Sequence, residues 1–183
     1  MCGFVVLCEG ARTFSSFFLK RLEAEISHRG PDSGGILSEP GIGIAFRRLA
    51  ILDTSNGSDQ PMTDRSGRYS IVFNGEIYNF KRLRRELEDT GSSFCTQSDT
   101  EVVLEGYARW QKKFFPKLEG MFSLIILDRH TQQVIGARDT LGIKPLYVLK
   151  TGNLLGFSSE MRSFSSLVPL EVDPAALSEL LVF

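Results

Sequence analysis

Cysteine is the second residue of the chain, just ahead of the apolar run Gly3-Phe4-Val5-Val6-Leu7. Loss of Met1, which the small Cys2 side chain suits, leaves one residue bearing both a thiol and a free α-amine. Unperturbed, the amine titrates near ~8 and the thiol near ~8.5, so the amine can serve the thiol as a base at neutral pH. On "MC" alone the plainer reading, a small hydrophobe opening a strand, is preferred. Three distant stretches change that preference. "RRLAILD" (47–53) places a guanidinium at the end of an apolar strand, where a planar fork suits an α-carboxylate. "NGEIYN" (74–79) offers the Asn74 amide and the Gly75 N–H, two donors of the kind that stabilise an oxyanion in acyl transfer. Asp99 opens a helical stretch, either as its cap or as an acceptor for an ammonium group. A nucleophile, an oxyanion pair, a carboxylate clamp and an ammonium clamp together describe acyl chemistry on a free α-amino acid.

The elements that must position these groups are short. Residues 2–8, 42–46, 69–74, 121–127, 133–138 and 145–149 read as strands rich in Val, Ile and Phe between turn signals. The pair 121–127 and 133–138, joined by "DRHTQ", reads as a hairpin. Asn74-Gly75 ends a strand and precedes a helix, which disfavours a two-residue hairpin there. Residues 13–27 place Phe14, Phe17, Phe18, Leu22 and Ile26 near one helical face. Residues 79–90 align Phe80, Leu83 and Leu87, with Gly91 as a stop, and 99–113 turn Val102, Val103 and Tyr107 inward. Ser98 and Glu101 have the spacing of a capping box. Hairpins with helices inserted between them favour antiparallel α+β layering.

The bulk numbers exclude other classes. The chain has 183 residues, 42% apolar and 23% charged, with a net charge of −1, so it reads as one globular domain with no general pull toward nucleic acid or anionic membrane. The basic run "KRLRREL" (81–87) sits on a helical pattern and reads as a solvated face. No stretch reads as a membrane span or a secretory signal, so a cytoplasmic protein is expected. Cys2, Cys8 and Cys95 lack metal-ligand spacing and read as free thiols, and no metal site is expected. Cys8 and Cys95 read as packing residues. The helix that begins at Asp173-Pro174 reads as the start of something larger.

The motifs "MCG", "HRGPD", "RLAILD", "QPM", "NGEIYN", "SDTEV", "GMF", "ARDTLGIKPLY" and "FSSE" occur in that order from Cys2 to Glu160. This series resembles the class II glutamine amidotransferase domain of glutamine-dependent asparagine synthetases. The resemblance implies an αββα four-layer sandwich of the N-terminal-nucleophile hydrolase kind, with two antiparallel sheets, over residues 2–165. Residues 166–183 would begin the linker to a synthetase domain. It also implies that Cys2 attacks the side-chain amide of L-glutamine, releasing ammonia from a γ-glutamyl thioester that water then hydrolyses. By motif position Arg48 holds the α-carboxylate and Asp99 the α-ammonium, while Asn74 and Gly75 stabilise the oxyanion. Backbone groups of Arg48, Leu49, Ala50, Ile51 and Leu52, and of the chain around Glu76, complete the pocket. Gly3 lets the first strand pass close to the substrate, and His28 and Arg29 support a loop over the site. "GIKPLY" and "FSSE" shape the core and the route ammonia takes, and Glu160 faces the second domain.

This domain itself is expected to need no cofactor, with ATP and Mg2+ belonging to a synthetase domain supplied in cis or in trans. A homodimer is compatible with the family. Arg47 stands where the family often has His or Glu, and "FSSE" replaces the commoner "FASE". "SGGILS" (33–38) only superficially resembles a nucleotide loop and reads as a glycine loop. Two other readings stay open from sequence: a glutaminase feeding another ammonia acceptor, and a silent regulatory or scaffold module.

Overall fold

The computed structural model describes residues 1–53 and 55–182, with the backbone alone for Asn56 and for 180–182. Phe183, the last residue of the expected linker segment, lies outside the described residues. The elements follow in the order β1 (Gly3–Cys8), α1 (Ser16–Glu25), β2 (Ser33–Glu39), β3 (Ile42–Arg48), β4 (Met62–Thr63), β5 (Tyr69–Ile77), α2 (Phe80–Asp89), α3 (Asp99–Trp110), β6 (Gly120–Asp128), β7 (Gln133–Arg138), β8 (Tyr147–Thr151), β9 (Leu154–Ser158) and α4 (Pro174–Val182). Two antiparallel sheets form. One has the order β2-β3-β1-β9-β8 and the other β4-β5-β6-β7.

Strand periodicity explains the layering, because successive side chains point to opposite faces. On β1, Val5 and Leu7 pack with Phe14, Leu19, Leu22 and Ile26 at α1, whereas Phe4 and Val6 pack between the sheets against Val72, Ile125 and Leu127. On β5 and β6, Ile71, Phe73, Leu124 and Ile126 face Leu83, Leu87, Val102, Val103 and Tyr107 of α2 and α3. The result is helix, sheet, sheet, helix: the αββα sandwich the motifs imply.

Several local expectations change. Residues 33–38 are not a loop but most of β2, paired along its whole length with β3. β5 runs on through Asn74 and Gly75 to Ile77, so those residues lie inside a ladder with β6. The strand expected at 145–149 is Tyr147–Thr151, and it pairs with β9. Phe17 points to solvent, 84% exposed, and Leu19 takes the buried place in α1. The Ser98 side chain caps α3 through the Thr100 N–H at 3.0 Å. Glu101 does not reach back to Ser98. It accepts the N–H groups of Cys95 and Thr96, both at 2.7 Å, and so pins the approach to the helix.

Candidate active site

The parity that builds the core also assembles the site. Cys2 continues the row of Phe4 and Val6, and Asn74 the row of Val72, so both side chains belong to the layer between the sheets. Where those rows run out, a cavity of about 210 Å³ opens, lined by Cys2, Arg48, Asn74, Gly75, Glu76 and Asp99 among others. Leu49, Ile51 and Leu52 line it as well. Ala50 does not: its N–H is donated outward to Asp32 Oδ2 at 2.8 Å.

Cys2 Sγ accepts the Leu49 N–H at 3.4 Å and lies 3.6 Å from the Leu49 carbonyl. Burial pushes its thiol above the ordinary value, while the Leu49 N–H, the terminal ammonium and Arg48 pull it back. Cys8, partly buried and with desolvation as its one cause, is pushed to about 11 and is the more inert thiol. Arg29 Nε donates to the Cys2 carbonyl at 3.0 Å, and its Nη1 is held by Glu160 at 2.7 Å. His28 Nε2 lies 3.3 Å from the same Glu160 oxygen. None of His28, Arg29 and Glu160 lines the cavity. Gly3 makes room for this brace and not for a ligand, since a Cβ there would lie 2.8 Å from Arg29 Cδ.

Asn74 is 1% exposed, and neither amide atom has a partner among the described residues. A buried unsatisfied amide costs about 1–3 kcal/mol, so its retention beside a thiol points to a ligand that completes it. Gly75 is required by its neighbour strand: a Cβ would sit 2.2 Å from the Met121 carbonyl. Asp99, the first residue of α3, accepts the Ile77 N–H at 2.9 Å. Burial raises its carboxyl to about 6 against the pull of the Ile77 and Thr100 N–H groups, and the nearby Glu76 carboxylate adds to the rise. Arg48 is 7% exposed and braces its own loop, donating to Ser55 O at 2.8 Å, Asp59 Oδ1 at 2.9 Å and the Asp53 carbonyl. A guanidinium has five N–H groups, so two are without an acceptor among the described residues.

Sequence reasoning missed Gln60, Ser58, Thr100, Met121 and Lys144, all of which line the cavity. Gln60 accepts the Phe73 N–H at 2.6 Å and donates to Thr100 Oγ1 at 3.3 Å, tying β5 to α3 beside Asn74 and Asp99. The motifs "QPM" and "GIKPLY" contain Gln60 and Lys144, but nothing in either string shows that its polar residue turns inward.

The whole chain, residues 1–183, matches the family described as glutamine amidotransferase domain. The chain belongs to that family. Among curated relatives, asparagine synthetase [glutamine-hydrolyzing] 1 of Bacillus subtilis (strain 168) is 40% identical over 188 residues, which is 100% of this chain and 30% of that protein. A putative asparagine synthetase [glutamine-hydrolyzing] of Mycobacterium tuberculosis (strain ATCC 25618 / H37Rv) is 36% identical over 92% of this chain and 28% of its own length. This glutamine amidotransferase domain thus spans less than a third of the relatives it matches. A solved glutamine phosphoribosylpyrophosphate amidotransferase from B. subtilis shares the fold, with TM-score 0.75 at 21% identity over 90% of this chain and 43% of that one.

Among the described residues, no three His, Cys, Asp or Glu side chains are grouped to hold a metal ion. "SGGILS" is locked in the β2–β3 ladder, so it makes no phosphate loop. No helix among the described residues is long and apolar enough to cross a membrane.

Proposed function

We propose that this domain hydrolyses L-glutamine to glutamate and ammonia through a thioester on Cys2, and that the ammonia serves ATP-dependent synthesis of asparagine from aspartate. The observation that carries this reading is the unpartnered Asn74 amide sharing one cavity with the Cys2 thiol and the Asp99 carboxylate. Met1 is 55% exposed and open to an aminopeptidase. Its loss frees the Cys2 amine, which takes the thiol proton as sulfur attacks the amide carbon. The carbonyl oxygen becomes an oxyanion, stabilised by Asn74 Nδ2–H and the Gly75 N–H. The C–N bond then breaks, and the amine returns its proton to the leaving nitrogen as ammonia departs. Water attacks the thioester with the same amine as base, expelling the Cys2 thiol and leaving glutamate.

Arg48 and Asp99 hold the two ends of the α-amino acid. The names and 35–40% identities of the curated relatives support asparagine as the destination of the nitrogen. ATP, Mg2+ and the acceptor would bind beyond the length this chain shares with them, in a synthetase part supplied in cis or in trans. The experiment is glutamate release from glutamine by the wild type and by Cys2→Ala. Wild type is expected to turn over and Cys2→Ala to fall to background. Equal rates would remove the thiol from the reaction.

A further inference from the structure

Of the two cations that line this cavity, Arg48 and Lys144, the proposed reaction does not use Lys144. It is 7% exposed and lines the cavity with Cys2. Its backbone is fixed. Asp139 accepts the N–H groups of Phe122, Ile143 and Lys144 at 3.1, 2.8 and 3.1 Å, and Arg138 Nε donates to the Lys144 carbonyl at 2.6 Å. The same stretch of β6, Met121 and Phe122, is in register with Glu76 and Gly75. Lys144 is therefore anchored to the strand that backs the oxyanion pair.

Its ammonium has a poor partner. Nζ lies 3.2 Å from Met1 Sδ, a thioether and weak acceptor, and no carboxylate among the described residues is within ion-pair distance. A buried ammonium without an anion is costly. Arg48, by contrast, is matched by Asp59 at 2.9 Å. Met1 is joined directly to Cys2, so its removal uncovers this ammonium at the nucleophile end of the cavity. The proposed reaction creates an anion at that end: a neutral γ-amide enters, and a γ-carboxylate is left.

We propose that Lys144 binds the γ-carboxylate of glutamate, so that the site holds its product more tightly than charge-neutral packing would. The inference rests on the glutamine-hydrolysis reading. A cation placed there distinguishes product from substrate, because glutamine presents no charge at the same position.

The test is glutamate inhibition of glutamine hydrolysis by wild type, Lys144→Met and Lys144→Arg, on chains shown by mass spectrometry to lack Met1. A charge-assisted hydrogen bond is worth about 1.5–3 kcal/mol, so Lys144→Met should raise the glutamate Ki about tenfold or more while KM for glutamine stays within about threefold. Lys144→Arg should keep Ki near the wild-type value. If Lys144→Met does not fold, Lys144→Gln takes its place with the same split expected. An unchanged Ki, or Ki and KM rising together, would overturn the inference while leaving the hydrolytic reading intact. A wild type that releases no glutamate would overturn both.

Discussion

At the scale of single residues, the site is marked by groups left incomplete. Asn74 buries both amide atoms, and neither has a partner among the described residues. Such an arrangement costs stability in the free domain and is returned only when charge develops beside it. Asn74→Leu should therefore leave Tm unchanged or raised, because it removes two unsatisfied atoms from an apolar layer. The same change should lower kcat by about 10²–10³ with little effect on KM, as loss of an oxyanion donor does. Thermal melts and steady-state kinetics on one preparation check both halves. Asp99 gives a pH signature. Its carboxyl, raised to about 6, must be ionised to take an ammonium group, so KM for glutamine should climb as pH falls through about 6. Asp99→Asn should raise KM at neutral pH and abolish that acid limb. The stability term has the opposite sense. A carboxyl raised in the fold binds an extra proton between about 3.8 and about 6, so its contribution grows as pH falls through that window and is lost as pH rises through about 6. Asp99→Asn should accordingly stabilise the free domain at pH 7. Neither orphaned amide nor raised carboxyl could be read from sequence. Both depend on burial, which only the assembled layers create.

At the scale of elements, strands with fully buried rows were legible, and among the half-buried ones β7 was read at its observed bounds whereas β2 was not. β1, β3, β5 and β6 carry runs of Val, Ile, Leu and Phe that have few alternatives to a sandwich interior. β2 has the sequence SGGILSE and an intermediate-to-exposed pattern, so its glycines resembled a loop. One of those glycines serves packing. A Cβ at Gly35 would sit 2.2 Å from the Gln60 carbonyl, so β2 admits the segment that carries Gln60 to the cavity. The Asn74-Gly75 pair was a second ambiguity. Its glycine answers to the approach of β6, which no local turn rule encodes. The register of β4 on β5, Met62 with Ile71 and Thr63 with Ser70, puts Gln60 opposite Phe73, where its side-chain carbonyl substitutes for a backbone acceptor. Gln60→Met should leave the Phe73 N–H buried and unpaired, costing about 1–3 kcal/mol. Tm should fall and kcat/KM with it, because Phe73 and Thr100, the neighbours of Asn74 and Asp99, lose their common tie. Gln60→Glu keeps an acceptor for Phe73 but adds a buried carboxyl to the cavity of Asp99, so its Tm should recover only at acid pH, where that carboxyl is protonated, and denaturation curves of the three proteins across pH decide the point.

At the scale of the whole molecule, the sandwich explains why a chain end can be a reactive centre. The first strand lies inside a five-stranded sheet, between β3 and β9, so the residue just before it is held and does not fray. Arg29 and Glu160, from opposite ends of the chain, brace the Cys2 carbonyl and fix that end further. The second sheet brings Asn74 to face Cys2, and the helix behind it brings Asp99. Three layers thus meet at one cavity, and the chemistry depends on their packing and not on any single motif. The central claim is that Cys2, freed of Met1, forms an acyl bond to the substrate. Its most direct test is the intact mass of the chain, acid-quenched during turnover of glutamine and followed by mapping of the N-terminal peptide. The account predicts a chain beginning at Cys2 with a γ-glutamyl group on that residue, absent from Cys2→Ala. A chain that keeps Met1 while releasing glutamate, or turnover with no adduct on Cys2 and an undiminished rate in Cys2→Ala, would contradict it.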